Sequence, residues 1–130
     1  GHPDLMRPLS ESPTFEECIE HAMVGLSEES ALYTYLQVKA AAHSKAIHYR
    51  VRMRSFEGVL RMASLGVGVS VVSSLATQHL TAKHPGLEVR ALRDAWARRR
   101  LILCTHHAAG AAPGYVQPLI DYLIDAGQQG

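Results

Sequence analysis

The stretch that decides the fold runs from Ser55 to Ser73 and reads SFEGVLRMASLGVGVSVVS. The Ser55 hydroxyl can accept a hydrogen bond from a free amide at a helix start, and apolar residues follow with the 3.6-residue period of a helix. These apolar residues are Phe56, Val59, Leu60 and Ala63. Gly66 ends the helix, and the β-branched run from Val69 to Val72 predicts a strand that is buried on both faces. Helix, glycine turn and strand together indicate one αβ unit of a parallel or mixed sheet.

Outside this stretch, helical and strand patterns alternate along the chain. Helices are predicted from Thr14 to about His21, from Ala31 to about His43, from Leu75 to about Lys83 and over residues 116–126, and strands over residues 22–26, 47–54, 87–92 and 100–105. Residues 3–13 carry three of the six prolines and are expected to form an extended lead-in segment. The order of the elements predicts an α/β layered sheet with crossover helices.

The composition favours one soluble globular domain. The chain has 130 residues, of which 47% are hydrophobic, and this is enough for a core of its own. It contains no run of about 18 apolar residues and no secretion signal at its start, so we expect a cytoplasmic protein without a membrane segment. A formal net charge of +1 is too small for the field that nonspecific DNA binding requires, so this chain alone should not hold DNA.

The residues that most often carry chemistry show no catalytic or metal-binding pattern. The eight histidines form no HExxH, HxH or helical i, i+4 pair, and Cys18 and Cys104 have no metal-ligand spacing. No G-x-S-x-G nucleophile motif occurs. The pair Gly66 and Gly68 follows a helix and precedes a strand, which is the reverse of the order in nucleotide-binding loops. We therefore expect no enzyme, no metal and no cofactor.

The opening stretch resembles the effector-binding domain of LysR-type transcriptional regulators, in which a serine-capped helix runs into Gly-x-Gly, an aliphatic strand and usually a proline. Ser73 stands here where that proline is expected. Three later segments resemble the last part of the same domain in order and spacing, namely residues 87–92, residues 94–104 and the closing helix around residues 119–123. The resemblance extends from about Phe15 to Ala126.

The resemblance implies a periplasmic-binding-protein-like (type 2) fold, in which two α/β lobes of mixed sheet and flanking helices enclose a ligand cleft. On this interpretation residues 9–104 are the second lobe, and residues 105–130 are a return segment and a C-terminal helix that belongs to the first lobe. Residues 1–8 are expected to combine a remnant of a cleaved tag with the start of the lead-in segment. The DNA-binding helix-turn-helix of such a regulator would lie in a domain outside this chain.

The candidate ligand site lies beyond the carboxyl ends of the strands, where helix starts present free amides to an anion. Six residues are expected from this rule and from the resemblance to contact a small-molecule effector: Gly25, Leu26, Ser55, Phe56, Gly68 and Ser73. Small carboxylates and aromatic acids are the effector classes to screen first. For Ser55 and Ser73, a purely structural role as helix caps is the alternative.

The preferred interpretation is a ligand-sensing, non-enzymatic domain of a LysR-type regulator. A fragment of a solute-binding transport protein with the same architecture is the second interpretation, and an uncharacterised enzyme is the third. An apolar stripe on the closing helix has no sheet in this sequence to cover it, and consists of Val116, Leu119, Ile120, Leu123 and Ile124. We expect this stripe to hold a homodimer together, with a helix folded back onto its own lobe as the alternative.

Overall fold

The computed structural model describes residues 1–98 and 114–128. Its helices are α1 (Pro3–Met6), α2 (Phe15–Ile19), α3 (Ala31–Ala42), α4 (Phe56–Ser64), α5 (Ser74–Leu80) and α6 (Val116–Gln128), and its strands are β1 (Met23–Leu26) and β2 (Tyr49–Met53). Two 3₁₀ turns cover Thr81–Lys83 and Ala95–Ala97. The chain divides into two compact units, Gly1–Ala97 and Arg98–Gly130.

Hydroxyl side chains cap the starts of α2, α3, α4 and α5. The Thr14 hydroxyl accepts a hydrogen bond from the Glu17 amide at 3.2 Å, and the Glu17 carboxylate accepts one from the Thr14 amide, which completes a capping box. The hydroxyls of Ser30, Ser55 and Ser73 accept from the amides of Tyr33, Gly58 and Ala76 at 3.0, 3.2 and 3.3 Å. Gly66 follows α4 with a φ of +77°, a conformation that favours glycine, and the chain turns there.

β1 lies in the middle of a small parallel sheet. It pairs with β2 on one side, and on the other side it forms a parallel bridge between Met23 and Val69. The Val69 carbonyl accepts from the Val24 amide at 2.8 Å, and the Val69 amide donates to the Ala22 carbonyl at 2.9 Å. The α/β class is therefore confirmed. All strand pairing in the described residues is parallel, and the strand predicted over residues 69–72 is a single bridge.

The core of the first unit lies between this sheet and the helices. The largest fully buried side chains of the core include Phe15, Met23, Val24, Val59 and Leu60, which come from α2, β1 and α4. Each contributes about 1.5 to 3 kcal/mol relative to an exposed position. The ring of Trp96 meets the ring of Phe15 edge-on, with 5.3 Å between their centroids. This packing holds β1 against the helices and so fixes the position of its carboxyl end.

Two predicted segments differ from the structure. Residues 87–92 alternate in sequence but form no strand. A strand needs a neighbour along its length, and among the described residues Gly1 alone exchanges backbone hydrogen bonds with this segment, at Glu88. Residues 3–6 form the short helix α1 instead of extended chain. Proline is well suited to the first position of a helix, and the His2 side chain accepts a hydrogen bond from the Asp4 amide. The strand predicted over residues 100–105 lies outside the described residues.

The second unit is described at Arg98 and over residues 114–128, which contain α6. The helix spans Val116–Gln128, slightly longer than predicted. Much of its apolar stripe is exposed, since Leu119, Leu123 and Ile124 keep 53%, 44% and 48% of their accessible surface. No helix within the described residues is long and apolar enough to cross a membrane.

Candidate functional site

The carboxyl ends of β1 and β2 lie side by side at one edge of the sheet. Leu26 stands opposite Met53 in the register, and the Ser27 amide donates a hydrogen bond to the Met53 carbonyl at 2.9 Å. This bond fixes the two strand ends at the same level before the chain turns into α3 and α4. In open parallel sheets, ligands bind at such an edge.

Three helix starts follow this edge. α3 begins at Ala31 after β1, α4 begins at Phe56 after β2, and α5 begins at Ser74 after the segment that bridges to β1 in parallel. The first amides of a helix have no acceptor within the helix and carry a partial positive charge. The edge therefore offers N–H donors from more than one helix to an anionic or polar group.

An ion pair connects β2 to the loop after β1. The Arg52 guanidinium pairs with the Glu28 carboxylate, and it also stands 5.8 Å from the centroid of the Tyr33 ring. The Tyr33 ring in turn packs on the ring of Tyr49 with 5.6 Å between the centroids. These contacts join the first turn of α3 to β2, so they position the α3 start relative to the edge.

Four of the six residues expected to contact the effector follow the carboxyl ends of the parallel segments. Leu26 ends β1 and is partly buried, Ser55 and Phe56 begin α4, and Ser73 caps α5. The hydroxyls of Ser55 and Ser73 both act as helix caps, so the structural role that was the alternative is present at each. Both serines are also exposed, which leaves their hydroxyls accessible to a ligand.

Gly25 immediately precedes Leu26 in β1, whereas Gly68 lies beside the amino end of that strand. Gly25 is buried within β1, and a Cβ at this position would stand 2.2 Å from Cε1 of the Tyr49 ring. Gly68 is buried beside the amino end of β1, where a Cβ would stand 2.5 Å from the carbonyl oxygen of Ala22. Each position requires glycine because another group approaches the backbone closely. The structure gives both glycines a packing role.

An open depression of about 650 Å³ adjoins the edge at Met53 and Ser55 and extends along α4. Its other lining residues are Glu57, Gly58, Arg61, Met62, Leu65, Lys83 and His84. Gly58, Met62 and Leu65 have an i, i+4, i+7 spacing that places them on one side of α4, and this spacing is the sequence signal for the α4 wall of the depression. The other wall comes from the turn after α5, and no pattern in the sequence indicates that it lies against α4.

Two weakly acidic side chains, the buried Cys18 and the partly buried Tyr49, keep their protons at neutral pH. Burial raises the pKa of the Cys18 thiol to about 11, and burial raises the pKa of the Tyr49 phenol to about 12. A thiol held in this form is a poor nucleophile and a poor metal ligand. In the part of the chain that the structure describes, no group of three or more His, Cys, Asp and Glu side chains could hold a metal ion.

A comparison with known protein families shows which family the chain belongs to. A family model described as the LysR substrate binding domain matches residues 2–128, while neither the curated proteins nor the solved structures contain a match. Domains of this family are regulatory, ligand-sensing modules with a periplasmic-binding-protein-like α/β fold, and they are not catalysts. The match distinguishes this family from the transport proteins of the same architecture. Because the matched residues make up nearly the whole chain, the protein belongs to the LysR substrate binding domain family.

Proposed function

We propose that this domain senses a small organic anion at the carboxyl edge of its parallel sheet and transmits the bound state to the DNA-binding part of a LysR-type regulator. One observation carries the proposal: the joined ends of β1 and β2 lead into serine-capped helices, in a domain whose family senses ligands. Small carboxylates and aromatic acids suit this edge because helix amides favour a negative charge.

The chemistry of a serine allows it to cap a helix and bind a ligand at once. A hydroxyl has one O–H donor and two acceptor lone pairs. The cap uses a lone pair of Ser55 for the Gly58 amide and a lone pair of Ser73 for the Ala76 amide. The O–H of each serine can then donate to an effector carboxylate, and Leu26 and Phe56 offer partly exposed apolar surface beside it.

The proposal also covers the place of this chain in a regulator. Residues 9–104 would form the second of two lobes, with the effector enclosed between them, and residues 105–130 would return to the first lobe. DNA would be bound by a helix-turn-helix elsewhere in the regulator, since the chain has a net charge of only +1. The exposed apolar residues of α6 support a homodimer in which this helix is covered by a second copy.

A binding screen with a serine-to-glycine variant tests the effector site. Small carboxylates and aromatic acids are screened by thermal shift on the regulator that carries this domain, because a ligand of the folded state raises its stability. Ser55→Gly should then weaken the best ligand about tenfold, as expected for losing a hydrogen bond to a charged group. Ser44→Gly is the matched control, because Ser44 is exposed at the far end of α3 and has a φ of 55°, which glycine adopts without strain. Full affinity in Ser55→Gly and in Ser73→Gly would show that the serines are caps only.

A further inference from the structure

We infer that the depression along α4 is a second binding site, which takes an organic anion, either a carboxylate or a phosphate monoester, with an aromatic or short aliphatic body. The site shares Ser55 with the sheet edge but is built from the side of α4 and from the turn at Lys83 and His84. Its volume of about 650 Å³ falls within the range of roughly 300 to 1,000 Å³ that is usual for small-molecule sites.

Cationic side chains without a paired carboxylate indicate that the ligand of the depression is an anion. Arg61 and Lys83 both line the depression, and neither forms an ion pair with any described residue. Most other cations of the first unit are engaged: carboxylates pair with Arg7, Lys45, Arg52, Arg90 and Arg93. Glu57 is the one carboxylate in the lining of the depression, and two fixed positive charges outweigh it. An anion between Arg61 and Lys83 would neutralise both.

An orphaned ring nitrogen adds a polar contact. The Nε2 atom of His84 is inaccessible and has no hydrogen-bond partner among the described residues. A buried polar atom without a partner destabilises a fold. A ligand oxygen could become that partner if the His84 ring turned towards the depression and Nε2 carried the hydrogen. His84 lines the depression next to Lys83, so one anionic group could contact both side chains.

Apolar side chains in the same depression indicate the body of the ligand. Met53 and Met62 line it together with Leu65, which keeps 67% of its surface accessible. Methionine side chains adapt their shape and make favourable contacts with aromatic rings. The combination of cations at one wall and soft apolar groups along α4 suits an amphipathic anion better than an inorganic ion.

Calorimetric titrations of the whole chain test this site with four probes. Benzoate and phenyl phosphate are the two anionic probes, inorganic phosphate lacks the apolar body, and benzyl alcohol lacks the charge. We expect saturable binding of benzoate or phenyl phosphate, and weaker binding of the other two. Lys83→Ala and Arg61→Ala should each weaken the bound probe about fivefold, as for a solvent-accessible ion pair. Arg54→Ala is the control, because Arg54 is exposed and does not line the depression.

His84→Leu separates a binding role from a structural one. The substitution removes the orphaned nitrogen while it keeps an apolar side chain, so we expect weaker probe binding without loss of thermal stability.

Three results would overturn the inference. The first is that neither anionic probe binds saturably. The second is that a probe binds equally well to Lys83→Ala and Arg61→Ala but loses affinity in Ser73→Gly, which places it at the sheet edge and leaves the proposed effector site intact. The third is that the cation variants change only the mass measured by light scattering, which makes the depression an interface between copies of the chain.

Discussion

The ring of Tyr49 lies directly against the backbone of Gly25, so that a Cβ on Gly25 would stand 2.2 Å from the ring atom Cε1. The two residues come from neighbouring parallel strands, and the ring lies between the strand backbone and Tyr33 of α3. A side chain at Gly25 would therefore have to displace the ring, which is one of the contacts that join β2 to the start of α3.

Gly25→Ala should destabilise the domain. The added methyl group overlaps the Tyr49 ring, and overpacking of this kind costs about 1 to 3 kcal/mol. Chemical denaturation followed by circular dichroism would measure the free energy of unfolding. Gly114→Ala is the control, because a Cβ there has no described atom within 4 Å. A variant as stable as the wild type would show that the ring does not occupy this position.

Tyr49 should make the domain sensitive to alkali. Burial raises the pKa of the Tyr49 phenol from 10.0 to about 12, with a smaller contribution from Tyr33. The unfolded chain then loses the phenol proton at lower pH than the folded chain. The stability that the protonated phenol contributes is therefore present below about pH 10 and is lost between about pH 10 and about pH 12. Denaturant midpoints measured across this range should fall for the wild type.

Tyr49→Phe should flatten that pH dependence without harming stability near neutral pH. The phenol oxygen has no hydrogen-bond partner among the described residues, so its removal breaks no bond there. A smaller loss of stability with rising pH should remain in Tyr49→Phe, because burial also raises the pKa of Cys18 from 9.0 to about 11. This loss should begin at a lower pH than the loss that Tyr49 causes. Tyr115→Phe serves as the control, since Tyr115 is 72% exposed. An unchanged alkaline decline in Tyr49→Phe would contradict the assignment.

Local patterns in the sequence were sufficient to predict the helices α2 to α6, but not the short helix α1 or the partners of the strands. The caps at Ser55 and Ser73 and the turn at Gly66 each depend on residues within a few positions, and all three are confirmed. The strand predicted over residues 87–92 is wrong because its alternation says nothing about whether a neighbouring strand exists. The sequence also indicated Gly25 and Gly68 as candidates for the site. Their close contacts with Tyr49 and Ala22 arise from packing between distant segments, which a local sequence pattern does not reveal.

The Ser55 hydroxyl should contribute separately to stability and to effector affinity. Ser55→Ala removes the cap of α4 and should cost about 0.5 to 2 kcal/mol, whereas Ser55→Gly should cost only a few tenths. If the hydroxyl also binds the effector, both variants should lose similar affinity although only the first is less stable. Unfolding curves and calorimetric titrations on the same samples would make this comparison. If Ser55→Gly binds the effector with nearly wild-type affinity and the less stable Ser55→Ala alone binds it weakly, capping α4 is the sole role of the hydroxyl.

The exposed stripe of α6 should hold two copies of the chain together. Leu119, Leu123 and Ile124 keep between 44% and 53% of their surface accessible, and covering this remaining half contributes roughly 1 kcal/mol for each side chain. Light scattering at micromolar concentration should therefore give the mass of a dimer, and a chain without residues 114–130 should be monomeric. Gln117→Ala, which replaces a polar side chain of the same helix, should leave the dimer intact. A monomeric full chain, or a dimer that survives the deletion, would rule out this role of α6.

The central claim is that the effector binds where β1 and β2 end, and an amide NMR titration tests it most directly. The best ligand from the carboxylate screen is added to the isotope-labelled chain, and the chemical shift of every backbone amide is followed. We predict that the amides around Leu26, Phe56 and Ser74 shift together and saturate with one affinity, while those of α6 stay unchanged. Saturable binding that leaves all three helix starts unshifted would contradict the claim.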